Sequence, residues 1–278
     1  MSSQKATTGL AGKINLVVLS TIFVMFLILY TKTYAQNETW NNKKCAVVLT
    51  YDDALNVHLD NVIPLLDSAG FKGTFYLSGL FPGFKQRPKD WAAVASKGHE
   101  LGNHTLFHPC EGKSPGREWV NPTYDLSIYT PQRITDEILA ANLLLEIVDG
   151  KTKRTFAYPC GDMKAGDSSY VGVVKENFVG ARGVESKLQK IDEIDVYNIC
   201  SFMINNQSGE ELITLTKKAM ETNSLLVFLF HGVGGEHSIN VSSEAHRTLV
   251  NFLKENEKDI WVAPLVDIAQ FIKNKRKM

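Results

Sequence analysis

Cys45-Ala46-Val47-Val48-Leu49-Thr50-Tyr51 runs directly into Asp52-Asp53, and this junction decides how the rest of the chain is read. A continuous apolar run, without the polar alternation of a half-buried strand, suits a strand covered on both faces of a parallel sheet. Two carboxylates at the end of such a strand are costly to hold side by side away from water unless a cation or a shared proton relieves them. Downstream, His104-Thr105-Leu106-Phe107-His108 supplies two imidazoles at a spacing that places both on one face of a helical turn. Neutral imidazole is the commonest metal ligand, and one Asp with two His forms a three-ligand face with open positions. A second apolar run, Ser224-Leu225-Leu226-Val227-Phe228-Leu229-Phe230, ends in His231. One Asp and one His are then left as base and acid, the complement that metal-assisted hydrolysis requires. The residues imply a metal-dependent hydrolase.

Working outward, strand-like and helix-like segments alternate along the chain. Gly73 to Leu77, Glu100 to Asn103, Thr155 to Tyr158, Val179 to Arg182, Tyr197 to Met203, Leu225 to Phe230 and Ile260 to Ala263 read as strands. Leu55 to Ala69, Pro88 to Lys97, Ser243 to Glu255 and Leu265 to Lys273 carry helical spacing. Thr130 as N-cap with Pro131 at the first position opens a further helix to about Val148. This alternation predicts an α/β fold, a distorted parallel (β/α) barrel of seven or eight strands. The candidate residues support it independently, because Asp52, Asp53, His104, Cys160 and His231 all fall just after strands, where barrel enzymes carry their chemistry. A long Pro- and Gly-containing segment, Glu111 to Tyr129, is expected to line the site as a loop.

The 278 residues carry 30 Lys and Arg against 30 Asp and Glu, so no electrostatic case exists for nucleic acid. The N-terminus differs in kind. Lys5 and Lys13 precede the apolar run Ile14 to Tyr30, and Thr33-Tyr34-Ala35-Gln36 follows with small residues. Residues 1–35 read as a signal peptide cleaved after Ala35, or as an uncleaved anchor, the only route to a membrane. Either way the domain is expected to be exported, periplasmic or extracellular. Residues 36–44 read as a polar linker and 45–274 as the catalytic domain. In an oxidising compartment Cys45, Cys110, Cys160 and Cys200 can pair in three ways.

At these residues the chain resembles the polysaccharide deacetylase family, the NodB-homology group of carbohydrate esterase family 4. Thr50-Tyr51-Asp52-Asp53-Ala54, His104 to His108, Tyr158-Pro159-Cys160-Gly161 and Leu229-Phe230-His231 match its motifs in order. The resemblance implies that Asp53, His104 and His108 bind a divalent metal, with Zn2+ favoured and Co2+, Mn2+ or Ni2+ possible. It implies Asp52 as general base, His231 as general acid, the N–H of Cys160 as oxyanion donor and Leu229 as a wall for the acetyl methyl. The implied substrate is an acetylated glycan, deacetylated at N or O. Cys110, two residues after His108, and Cys160, in the oxyanion motif, are the expected disulfide pair. Ala157 departs from the family at a position where many members carry an Arg beside the base. Arg182, at the end of the next strand, is expected to replace it, bidentate on Asp52, the alternative being a surface Arg paired with Glu185. No Asp-Trp motif is present to tune His231. These departures keep a second class in view, a catalytically reduced, metal-containing glycan-binding domain on the same barrel. Trp119 in the long loop offers an apolar face to a sugar. His58, His99 and His246 read as structural or exposed; His237, in the loop after His231, could touch substrate but reads rather as a loop-surface residue.

Overall fold

A computed structural model describes residues 40–276. Its frame is an eight-stranded, all-parallel sheet: β1 (Cys45–Asp52), β2 (Thr74–Leu77), β3 (Glu100–Asn103), β4 (Phe156–Ala157), β5 (Ala181–Arg182), β6 (Phe202–Met203), β7 (Leu225–Phe230) and β8 (Ile260–Val262). The spatial order is β5-β4-β3-β2-β1-β7-β6, with β8 paired to β1 as well. The lower half of β1 pairs with β8 (Cys45 with Ile260) and its upper half with β2 (Thr50 with Thr74). Residues 196–203 join the two edges. Ile199 N–H donates to Ala181 O at 2.9 Å and Gly183 N–H to Ile199 O at 2.8 Å, while Phe202 pairs with Phe228. The sheet is therefore curled into the distorted (β/α) barrel that the alternation implies.

The helical layer follows the same local rules. Helices flank the sheet: α1 (Ile63–Ala69), α2 (Pro88–Ser96), α3 (Pro131–Asp149), α4 (Val171–Asn177), α5 (Gly209–Thr222), α6 (Ser243–Glu255) and α7 (Leu265–Lys275). The Thr130 side chain accepts from Arg133 N–H with Pro131 behind it, and Gly150 ends α3 in the left-handed conformation. Side chains alternate across the sheet with period two. Cys45, Val47, Leu49 and Tyr51 pack with Leu226, Phe228 and Phe230 under the helices, whereas Ala46 and Val48 join Tyr76, Ala157, Leu225 and Val227 in a second, inner cluster. Asp52 shares the parity of Ala46 and Val48, so it projects from the inner face at the strand's C-terminal end.

Trp40, inside the stretch expected as a polar linker, is fully buried, and its indole N–H donates to Asn223 O at 3.0 Å. The expected signal or anchor, residues 1–35, lies outside the described residues. No helix among the described residues is long and apolar enough to cross a membrane.

Candidate active site

Asp52 and Asp53 part company at the end of β1. Asp52 continues the inner face, while Asp53 has a left-handed backbone (φ 76°) and its N–H donates to Tyr76 O. Both are buried. Arg182 stands in register with Ala157 on neighbouring strands and, fully buried, reaches Asp52 Oδ2 at 2.5 Å. The contact is a single one, not the expected bidentate fork, because Arg182 Nη1 turns toward Gly183 O and Ser201 Oγ. The Tyr76 ring lies 5.1 Å from the guanidinium. Gly102 makes room for that ring, since a Cβ there would strike Tyr76 Cδ1. Asp52 Oδ1 is left buried without a hydrogen-bond partner.

The imidazoles of His104 and His108 are not on a helical turn, contrary to the expectation from their spacing. Thr105 and His108 have left-handed backbones (φ 65° and 54°) in a tight loop. Asn103 Oδ1 accepts from Thr105 N–H at 2.7 Å and Thr105 Oγ1 accepts from His108 N–H at 3.0 Å, so side chains replace the helical ladder. The loop still brings the rings edge to face, centroids 4.6 Å apart. His104 Nδ1–H donates to Ala157 O at 2.9 Å, which leaves its Nε2 lone pair facing inward. That Nε2 lies 3.8 Å from Asp53 Oδ1, and His108 Nε2 lies 3.6 Å from the same oxygen.

These atoms fit a divalent ion. Asp53 Oδ1 is buried with no hydrogen-bond partner, and the Asp53, His104 and His108 ligand atoms all lie within 4.8 Å of one another. Ligands at zinc distances in a tetrahedral site stand about 3.3 Å apart, so a small contraction completes the face. Burial pushes the His104 imidazole down to about 4, so it is neutral at physiological pH. Burial opposes the charge on Asp53, yet His108, His104, His231 and His237 together hold its carboxyl below the usual value. A second grouping, His108 with Cys110 and Cys160, is not a metal site because its sulfurs are joined to each other.

That disulfide, Cys110–Cys160 with Cα atoms 5.8 Å apart, ties the long loop to the Tyr158–Gly161 segment. Arg117 adds a clasp, donating to Asp162 Oδ2 at 2.5 Å and to Cys160 O at 3.3 Å. Cys160 itself is left-handed (φ 56°). The loop is not structureless, since Pro122–Tyr124 and Leu126–Ile128 form 3-10 turns. Cys45 and Cys200 are free buried thiols. Trp119 is 65% exposed on the loop and takes no part in the polar cluster. Leu229 is buried on β7, opposite Thr50.

His231 Nε2 lies 3.9 Å from Asp53 Oδ2, and its Nδ1 is buried without a partner. Burial lowers its affinity for a proton, against the pull of Asp52 and Asp53. The reading of His237 as a loop-surface residue is overturned: its Nε2 lies 3.8 Å from Asp53 Oδ2 and its ring stacks on His231. His58, His99 and His246 are buried, and His58 Nε2 bonds His231 O at 2.8 Å.

The site thus joins Asp-Asp at a strand end, two imidazoles facing one carboxylate oxygen of Asp53 and an Arg on Asp52. Against known proteins, residues 40–171 match the family model described as polysaccharide deacetylase. Over this stretch, just under half of its length, the chain resembles the polysaccharide deacetylase family. It is 26% identical over 199 residues to a gellan lyase of a Bacillus species and 27% identical over 120 residues to the peptidoglycan-N-acetylmuramic acid deacetylase PdaA of Bacillus subtilis. Those alignments take in 72% and 43% of this chain but only 7% and 39% of the relatives. A crystal structure assigned as a polysaccharide deacetylase from Mycobacterium smegmatis shares the fold, with TM-score 0.62 over 86% of this chain and 93% of that one at 14% identity. Arg182, His231 and His237 lie beyond the matched residues of the family model, so their place in the site rests on the geometry above.

Proposed function

We propose that this protein is an exported, metal-dependent deacetylase that hydrolyses acetyl groups from an acetylated carbohydrate. The observation that carries the reading is the division of the Asp52 carboxylate. Its Oδ2 is fixed by Arg182, while its Oδ1 is buried, unpartnered and left to accept a proton. A cation held by Asp53, His104 and His108, with Zn2+ the favoured ion, would polarise the acetyl carbonyl and lower the pKa of the attacking water. Asp52 Oδ1 takes the proton from that water, and Arg182 keeps the carboxylate ionised and oriented. Cys160 N–H supports the oxyanion, and Leu229 forms the apolar wall for the methyl. His231 protonates the departing nitrogen or oxygen, so that acetate and the free amine or hydroxyl leave. The disulfide and the apolar N-terminal run support export, because disulfides persist in oxidising compartments.

A second reading, a catalytically reduced glycan-binding domain, draws on the unpartnered Nδ1 of His231. The buried Asp52–Arg182 pair favours the enzyme, since a binder needs neither a base nor its cation. Acetate release from acetylated chitopentaose, peptidoglycan and acetylated xylan tests the proposal. The wild type should act on at least one of them and Asp52→Asn on none. An unimpaired Asp52→Asn variant, or a wild type inert on all three, would refute it.

A further inference from the structure

The loop that follows His231 is held far more firmly than a surface loop requires. Gly232–Val233 pairs with Asn240–Val241. Glu236, in the left-handed conformation, accepts from Asn56 Nδ2 at 2.7 Å and from Val57 N–H at 2.8 Å. Asn240 anchors the other end, its O accepting from Asn206 N–H at 2.7 Å and its Oδ1 from Gly235 N–H at 2.9 Å. These clasps fix one side chain, His237, over the site. Its ring stacks on His231 with centroids 4.7 Å apart and 18° between planes, and both Nε2 atoms face Asp53 Oδ2.

The tautomer of His237 follows from its neighbours. Ile239 N–H, which can only donate, points at His237 Nδ1 at 3.0 Å; Ile239 O, 3.2 Å from the same nitrogen, accepts from Gly232 N–H at 3.0 Å. With Nδ1 acting as acceptor, the ring proton sits on Nε2, aimed into the site. His237 is not one of the ligand atoms grouped around Asp53 Oδ1. Its side chain is 28% exposed against 13% for His231, so it occupies the outer rim where a sugar, rather than the acetyl group beside buried Leu229, would lie.

We infer that His237 is a further substrate-binding residue, whose Nε2–H donates a hydrogen bond to the sugar ring that carries the acetyl group. The inference rests on the deacetylase reading and adds to it a group that selects a carbohydrate over a bare acetyl ester. A site built to hydrogen-bond a substrate polar group discriminates strongly against compounds that lack it.

His237→Ala and His237→Gln are compared with the wild type on 4-nitrophenyl acetate and on whichever acetylated glycan it hydrolyses fastest. His237→Ala should lose at least about 10-fold in kcat/KM on the glycan, and less than about 3-fold on the aryl ester, with full metal content by elemental analysis. His237→Gln, which keeps a side-chain donor, should recover part of the loss. Glu236→Ala, which frees the loop without touching the imidazole, should show a smaller loss of the same glycan-selective kind. Equal losses on both probes, loss of metal, or unchanged glycan turnover would overturn the inference while leaving the deacetylase reading intact. A wild type that releases no acetate sinks the deacetylase reading alone. His237 is then judged by calorimetry with acetylated chitopentaose, where weaker binding by His237→Ala upholds the contact and unchanged or absent binding overturns it.

Discussion

Arg182 is fully buried and Asp52 nearly so, and the cost of hiding both charges is met only because they meet each other. Arg182→Ala strands an uncompensated carboxylate and removes the group that orients it. Turnover should fall by at least about 100-fold, with elemental analysis still finding the wild-type metal content. Loss of metal in that variant would show instead that Arg182 serves the Asp53 side. Arg182→Lys should not restore activity, because an ammonium lacks the planar reach of a guanidinium beside the Tyr76 ring. This pair was legible only with the resemblance in hand: Ala157 stands where many family members carry an Arg, and the end of the next strand lies beside it. His237 was not legible in the same way. It sits in a Gly-rich loop with no periodicity, and its place depends on Glu236, Asn240 and Ile239 holding that loop from several sides.

Element boundaries show the same division. The start of α3 could be read because Thr130 and Pro131 act locally, and its end because Gly150 takes a conformation that other residues resist. His104 to His108 misled because an i, i+4 spacing is only a helical face if the backbone is helical. Asn103 and Thr105 offer side-chain partners that stabilise a left-handed loop instead. Leu55 to Ala69 does carry a helix, but the turn His58–Val62 is widened into a π-helix. His58 within it bonds the carbonyl of His231 and links this helix to the candidate acid. At this scale the disulfide is the main staple, joining Cys110 and Cys160 across a sequence separation of 50. Replacing both cysteines by Ser should cost about 2–4 kcal/mol in urea unfolding and expose the Glu111–Tyr129 loop to limited proteolysis. An unchanged midpoint and cleavage pattern would show that Arg117–Asp162 and the 3-10 turns hold the loop without it.

Across the whole molecule, alternating apolar strands were enough to predict a barrel, but not that β8 pairs with the lower half of β1 while β2 takes its upper half. That arrangement depends on long-range packing, including Leu265 N–H donating to Thr74 Oγ1. The fold also carries a pH dependence. Burial pushes His58 down to about 4 and His246 to about 3, around a buried Tyr51 that bonds His246 Nε2 at 2.7 Å. Their unfolded values lie near 6.5, so below that pH the unfolded chain binds protons first. Their contribution is complete above about pH 6.5 and is lost as the pH falls toward 4, by up to about 1.4 kcal/mol per pH unit for each group. The urea midpoint should drop between pH 7 and pH 5, and His246→Gln should flatten the slope; equal slopes would contradict this. The central claim is that Asp53, His104 and His108 hold one catalytic cation opposite the Asp52 base. It is tested most directly by adding Zn2+ to chelator-stripped protein while acetate release is recorded. Activity should rise from near zero and saturate at one equivalent, and should not rise in His104→Ala; full activity in the stripped wild type would contradict the account.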